Sequence, residues 1–276
     1  MKDMITGSRV AIMTVRRLMA TRYVLLFAAL AVLGWFAARS DPARAAETPA
    51  PRRPVLLELF TSEGCSSCPP ADRLLETFDR TQPVSGADLI VLSEHVDYWN
   101  RLGWTDPYSS PLFTERQQEY VRQLHLDGAY TPQLVIDGQA DFVGSDERAI
   151  RAGIQRAETR PKAAILLRAE SAGPEVKVSL DVSNQTRRAD LYLALANDPA
   201  QSRVTRGENS GRILRHVAVV RSLVRVGTLS APSPFAKELT LPLKNENSQS
   251  WRVVAFLQDS GSRQILGAAE ARLLIP

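Results

Sequence analysis

Strand-like and helix-like periods alternate along the chain between Val55 and about Arg160. An apolar run at 55–60 reads as a strand and leads into a helical stripe over 69–80. A second strand follows at 89–92, extending to Val96, and then a helix over 111–126 whose apolar face includes Phe113, Tyr120, Val121 and Leu124. Residues 133–136 and 141–143 read as short strands around Asp137-Gly138, a hairpin signal whose spacing allows a bulge. A last helix is expected over 146–158, with Ser145 or Asp146 as its N-cap.

From Pro161 onward the helical period fades and strands dominate. The expected strands are 164–168, 176–182, 191–196, 213–226, 239–243, 251–257 and 265–274. Strict alternation at Val176, Val178, Leu180 and Val182 marks strands with one buried face. About seven such strands with polar connections predict an all-β, sandwich-like unit. The expected organisation is therefore a linker at 46–54, an α/β domain at 55–160 and a β-sandwich domain at 161–276.

Residues 1–45 read as an export segment. Arg9, Arg16, Arg17 and Arg22 precede sixteen apolar residues at 23–38, and Ala43-Arg44-Ala45 has the small-x-small form of a cleavage site. The expected compartment is periplasmic or secreted, with an inner-membrane tether through 23–38 if the leader is retained. Of 34 Lys/Arg and 30 Asp/Glu, the leader holds seven and two, leaving 27 against 28, a balance of −1. The basic character of the whole chain belongs to its leader and gives no ground for nucleic-acid binding.

The chain has two cysteines, in Gly64-Cys65-Ser66-Ser67-Cys68-Pro69-Pro70, between the first strand and the first helix. So short a loop removes little unfolded-chain entropy, which makes a structural staple a poor explanation for the pair. A thiolate at a helix N-terminus is stabilised by free N–H groups and the helix dipole, and its pKa falls from about 8.5 into roughly 3.5–7.5. Thiol–disulfide exchange on protein or small-thiol disulfides is the expected chemistry. Cys65, nearer the loop, is expected to attack, and Cys68, more enclosed by its helix, to resolve. Ser66 and Ser67 offer small hydroxyls beside the thiolate.

The strand–Cys-x-x-Cys–helix arrangement, the order β-α-β-α-β-β-α and Tyr130-Thr131-Pro132 ahead of a strand together resemble thioredoxin-like proteins. That resemblance implies a thioredoxin-like α/β fold, a cis-Pro132 beside the disulfide and a substrate-aligning backbone at Thr131. Leu57 to Asp72, His95-Val96-Asp97-Tyr98-Trp99, Leu102-Gly103-Trp104 and Tyr130 to Gln133 further resemble the motifs of a bacterial family of exported thioredoxin-like proteins, domain-of-unknown-function family 1223. Glu94 and Asn100 depart from the apolar residue and the aspartate expected there. The resemblance implies fold and compartment but no substrate.

Leu59 stands where thioredoxins carry a buried proton-accepting aspartate, so Glu58, His95 and Asp97 are the candidate proton relay, with a paired structural acid as the plainer reading of Glu58. Trp99, with Tyr98 and Trp104, is the candidate substrate rim. No nucleotide fingerprint is evident and no cofactor or resident metal is expected. The implied partners are a disulfide or dithiol substrate protein and an external redox partner. Two alternatives stand beside this reading. One is copper or zinc delivery through the two thiolates with His95 or His125; the other is a non-catalytic binding protein that merely retains the disulfide. His216, in an alternating strand of the second half, reads as structural.

Overall fold

The computed structural model describes residues 51–230, 234–243 and 250–274, of which 46% are strand and 19% helix. The first half comprises β1 (Arg53–Thr61), α1 (Pro69–Thr81), β2 (Ala87–His95), a 3-10 turn (Asn100–Leu102), α2 (Pro111–Gln123), β3 (Gln133–Ile136), β4 (Ala140–Val143) and α3 (Glu147–Ala157). The second half is β5 (Ala164–Ala172), β6 (Glu175–Ser183), β7 (Ala189–Asn197), β8 (Ala200–Arg203), β9 (Ile213–His216), β10 (Val219–Leu229), β11 (Phe235–Pro242), β12 (Ser250–Asp259) and β13 (Ile265–Leu274). The export segment expected at 1–45, and most of the linker after it, lie outside the described residues. Among the described residues no helix is long and apolar enough to cross a membrane.

Local signals shape the elements. Pro69 and Pro70 occupy the first turn of α1, where N–H groups have no intrahelical partner, and Leu75 and Phe78 bury its apolar stripe. Asp146 caps α3 by accepting from the Ala149 N–H at 3.0 Å. The helix expected to reach residue 126 stops at Gln123, and His125 turns left-handed with φ 54°. Residues 213–226 form two strands instead of one, because the chain turns at Ala218, φ 47°.

The expected fold class, a thioredoxin-like domain followed by a separate β-sandwich, is corrected by the sheet itself. One mixed eight-stranded sheet runs β13-β12-β7-β10-β2-β1-β3-β4 and takes strands from both halves. Its joint is β10 alongside β2, where Val219 pairs with Ser93 in parallel and the Ser93 N–H donates to the Ala218 carbonyl at 2.9 Å. Alternation along a strand reports which side chains are buried, and says nothing of which strand lies beside it. A three-stranded sheet, β11-β6-β5, packs over the β7–β12–β13 end, with Val176, Val178 and Leu180 against Leu193, Val253 and Ala255. The third sheet is the two-stranded β8–β9 hairpin.

The helix that starts at the cysteines is tied to the second half by charge. Arg252 of β12, 1% exposed, makes a bidentate pair with Asp79 of α1 at 2.6 and 2.8 Å and also engages Asp198 and Glu270. Removing one partner from such a group leaves a buried charge uncompensated, at a cost of about 3–5 kcal/mol. Position of α1 is thereby fixed from outside its own half.

Candidate functional site

β1 ends at Thr61 and the chain loops through Ser62–Ser67 before Cys68 opens α1 with helical dihedrals and no side-chain cap. Cys65 and Cys68 are joined in a disulfide, Cα to Cα 5.4 Å, with the Ser67 hydroxyl 3.3 Å from the Cys65 sulfur. Cys65 does not lie at an exposed loop as expected: both cysteines are 0% exposed, while Ser66 and Ser67 are exposed. Trp99 closes one side. A Cβ on Gly64 would lie 3.0 Å from the Trp99 Cβ, and the indole N–H donates to the Thr131 hydroxyl at 2.8 Å. The Thr131–Pro132 bond is cis. A Cβ on Gly144 would lie within about 3.1 Å of Leu59, Ala71 and Pro132, so only glycine fits where the chain passes between Pro132 and the first turn of α1.

The β8–β9 hairpin closes the other side through its 204–212 loop. The Asn209 amide, fully buried, donates to the carbonyls of Glu63 and Cys65 at 2.9 Å each, and its own carbonyl accepts from Arg212 at 3.0 Å. The Glu208 carboxylate accepts the Ser66 N–H at 3.0 Å, and the Ser66 hydroxyl together with that N–H holds its carboxyl below the usual range. The hairpin is thus an arm laid over the cysteine loop.

Beneath the loop lies a buried polar cluster. Glu63, 0% exposed, accepts from the Trp104 indole at 2.9 Å and from the Ser202 hydroxyl of β8, and faces the His216 Nε2 at 3.2 Å. The His216 Nδ1 stands 3.7 Å from Asp72 of α1, whose other oxygen accepts from the Thr61 hydroxyl at 2.8 Å. Burial alone pulls the His216 imidazole down, but Asp72 and Glu63 outweigh it and push the group up to about 10. The two carboxylates thus favour the charged form of His216. The ring of His95 stands edge-on to it at 4.6 Å between centroids. His95 Nδ1 meets Asp106 at 2.7 Å, and Asp106 accepts the Glu63 and Tyr108 N–H groups at 2.8 and 2.9 Å. Burial raises the Asp106 carboxyl, yet His95 and those N–H groups bring it down to about 2.

The profile of a family described as protein of unknown function (DUF1223) matches residues 56–258. The chain belongs to this family. A protein of Agrobacterium tumefaciens solved by crystallography is 28% identical, with a TM-score of 0.62 over 82% of this chain and 95% of its own. The sporulation control protein Spo0M of Bacillus subtilis (17% identity, 41% of this chain, 48% of its own, TM-score 0.28) and OgpA of Akkermansia muciniphila (9%, 41%, 28%, 0.26) are only partial likenesses and bear no inference. No curated protein matches the chain.

In this DUF1223 member the other candidate residues are dispersed. Glu58 faces α2, while its neighbour Leu59 faces α1. Its carboxylate is paired with Arg116 at 2.6 Å and accepts from the Tyr120 hydroxyl at 2.5 Å. Glu94 joins that cluster 3.5 Å from the Arg116 Nε, with no hydrogen-bond partner, and burial, with Glu58 beside it, holds its carboxyl well above the usual range. Asp97 accepts from the Thr114 hydroxyl at 2.6 Å and pins the start of α2. Asn100 uses its amide to bond Ser109 and Asp106. His125 is exposed beyond α2, and among the described residues no group of three or more His, Cys, Asp or Glu is arranged to hold a metal ion.

The structure thus ties Cys65, Cys68, Ser67, Trp99 and Thr131 into one site, with cis-Pro132 next along the chain and His95 in the cluster below. Sequence reasoning missed Glu63, Asp72, Asn209 and His216. Asp72 was within reach, since it lies one helical turn after Cys68 on the same face. Asn209 and His216 arrive from a distant hairpin that no local pattern announces.

Proposed function

We propose that the protein is an exported thiol–disulfide oxidoreductase working through Cys65 and Cys68. The observation that carries this reading is the Cys-x-x-Cys disulfide at the start of α1, with the cis Thr131–Pro132 segment tied to the cysteine loop through Trp99, whose indole donates to Thr131 and whose Cβ stands against Gly64. In the reduced protein the Cys65 thiolate attacks one sulfur of a substrate disulfide, releasing one substrate thiol and leaving a mixed disulfide. Cys68 then attacks the Cys65 sulfur, closes the 65–68 bond and releases the second thiol. Two electrons and two protons pass from the cysteine pair to the substrate; run backwards, the pair oxidises a dithiol. Pro69 and Pro70 supply no N–H to the thiolate, so its stabilisation rests on the dipole of α1 and the Ser67 hydroxyl.

Because both sulfurs are covered, exchange requires the β8–β9 arm to lift off the loop. Its contacts with that loop are hydrogen bonds from Asn209, Ser202 and His216 and to Glu208, groups that water can satisfy when the arm opens. The test is trapping of covalent adducts with a protein disulfide. Cys68→Ser should hold an adduct on Cys65, and Cys65→Ser should hold none. Adducts only with Cys68 free would reverse the roles, and no adduct with either would remove the activity. Complete burial of the disulfide favours a second reading, a non-catalytic binding protein, and that reading gains if neither variant is trapped.

A further inference from the structure

The cysteine that resolves the mixed disulfide must lose its proton inside the fold, and the residues for that are present in an unexpected place. Asp72 follows Cys68 by one turn of α1, its N–H donating to the Cys68 carbonyl at 3.1 Å. The two side chains share a helix face. Asp72 is 4% exposed, and its one hydrogen-bonded oxygen is taken by Thr61. The second oxygen faces the His216 Nδ1 at 3.7 Å, and that nitrogen is buried with no hydrogen-bond partner. Further along the same face of α1, Glu76, Asp79 and Arg80 line a cleft of about 540 Å³ against Gln201, Arg215 and His216 of the arm.

We propose that Asp72 accepts the Cys68 proton in the resolving step, that His216, facing its second oxygen, holds that carboxylate in place, and that the cleft between α1 and the arm carries the proton to solvent. This rests on the thiol–disulfide reading above. The step balances simply: the Cys68 S–H proton moves to the Asp72 carboxylate, the Cys68 thiolate forms the bond to Cys65, and the substrate sulfur leaves with the electron pair. A second proton reaches the leaving thiolate from water. His216 acts through Asp72 and is a positioning residue. The groups that face it are Glu63 from the cysteine loop, Asp72 from α1, His95 from β2 and Tyr108 ahead of α2, with Asp79, Arg80, Asp198, Arg215 and Arg252 around the cleft.

Stopped-flow mixing of the reduced full chain with a small aromatic disulfide separates the two steps, since one aromatic thiolate is released in each. Asp72→Asn should leave the first release intact and slow the second at least tenfold. In a Cys65→Ser background the same change should make Cys68 about tenfold more acidic by thiolate absorbance, because a neighbouring negative charge is gone. His216→Gln should slow the second release while leaving the first intact, as the Asp72 carboxylate loses the imidazole that faces it. A first release with an unchanged second in Asp72→Asn overturns this inference alone; absence of any first release overturns the thiol–disulfide reading itself. Should the variants fail to fold, nitrogen NMR of His216 in the wild-type protein decides. An imidazolium that persists well above the ordinary histidine range supports the proposal, and a neutral ring at neutral pH overturns it.

Discussion

The side-chain amide of Asn209 donates to the backbone carbonyl of Cys65 at 2.9 Å, across 144 positions of sequence. That bond, with its twin to the Glu63 carbonyl, anchors the β8–β9 arm to the cysteine loop through one buried residue. Asn209→Ala leaves the buried Glu63 carbonyl without a donor and the Cys65 carbonyl with only the Cys68 N–H, at a cost of about 1–3 kcal/mol if water does not replace the amide. The expected outcome is a lower midpoint in denaturant together with faster reduction of the disulfide by a small phosphine. Glu208→Ala, at an exposed site, should speed reduction with little change in the denaturation midpoint. Phosphine reduction rates equal to wild type in both variants would show that the arm does not control access.

Glu58 and Arg116 form a buried ion pair on the α2 side of the sheet. Arg116→Met strands Glu58 in the interior and should cost about 3–5 kcal/mol by chemical denaturation. The second release in the aromatic-disulfide assay should be unchanged in Glu58→Gln across pH. A slowed second release in Glu58→Gln would return Glu58 to proton transfer.

His216 links stability to pH. Its folded value, about 10, lies above the unfolded value near 6.5, so its contribution is complete below about pH 6.5 and is lost as pH rises toward 10. Asp106 runs the other way: held at about 2 against an ordinary 3.8, it contributes fully above 3.8 and loses that contribution as pH falls through about 2. Urea unfolding of wild type should therefore show stability declining between neutral and alkaline pH, and His216→Gln should flatten that decline. Equal slopes in the two proteins would remove the charged imidazole from the account.

Trp99 joins the cysteine loop to the cis-proline segment through Gly64 and Thr131. Trp99→Phe keeps the ring and loses the indole donor. It should weaken the protein by about 1 kcal/mol and lower the yield of trapped substrate adduct more than the rate of the aromatic-disulfide reaction, measured side by side.

Much of the first half was legible because strong local signals agree there: an apolar central strand, Pro69-Pro70 opening a helix, Asp146 as a cap, Asp137-Gly138 as a turn. Most strands of the second half were legible from alternation alone. Pairing was not. That β10 lies against β2 depends on a turn at Ala218 and on a free sheet edge, neither of which leaves a period in the sequence. The same limit hid the site. Cys65, Cys68 and Pro132 stand out by residue type and spacing, whereas His216 reaches Asp72 and Glu63 only once the β8–β9 arm is folded over the loop. Glu58 stood out as an acid in an apolar strand, yet the partner that explains it, Arg116, is itself buried in α2 with nothing in its local sequence to mark it.

The central claim, that the Cys65–Cys68 bond opens and closes in a folded protein, is tested most directly by equilibrating the intact chain with glutathione redox buffers and quantifying the reduced fraction by alkylation. The account predicts a reversible two-electron transition at a potential between about −270 and −120 mV, with the fold retained on both sides. A disulfide that stays closed to below about −300 mV, or opens only as the protein unfolds, would contradict it.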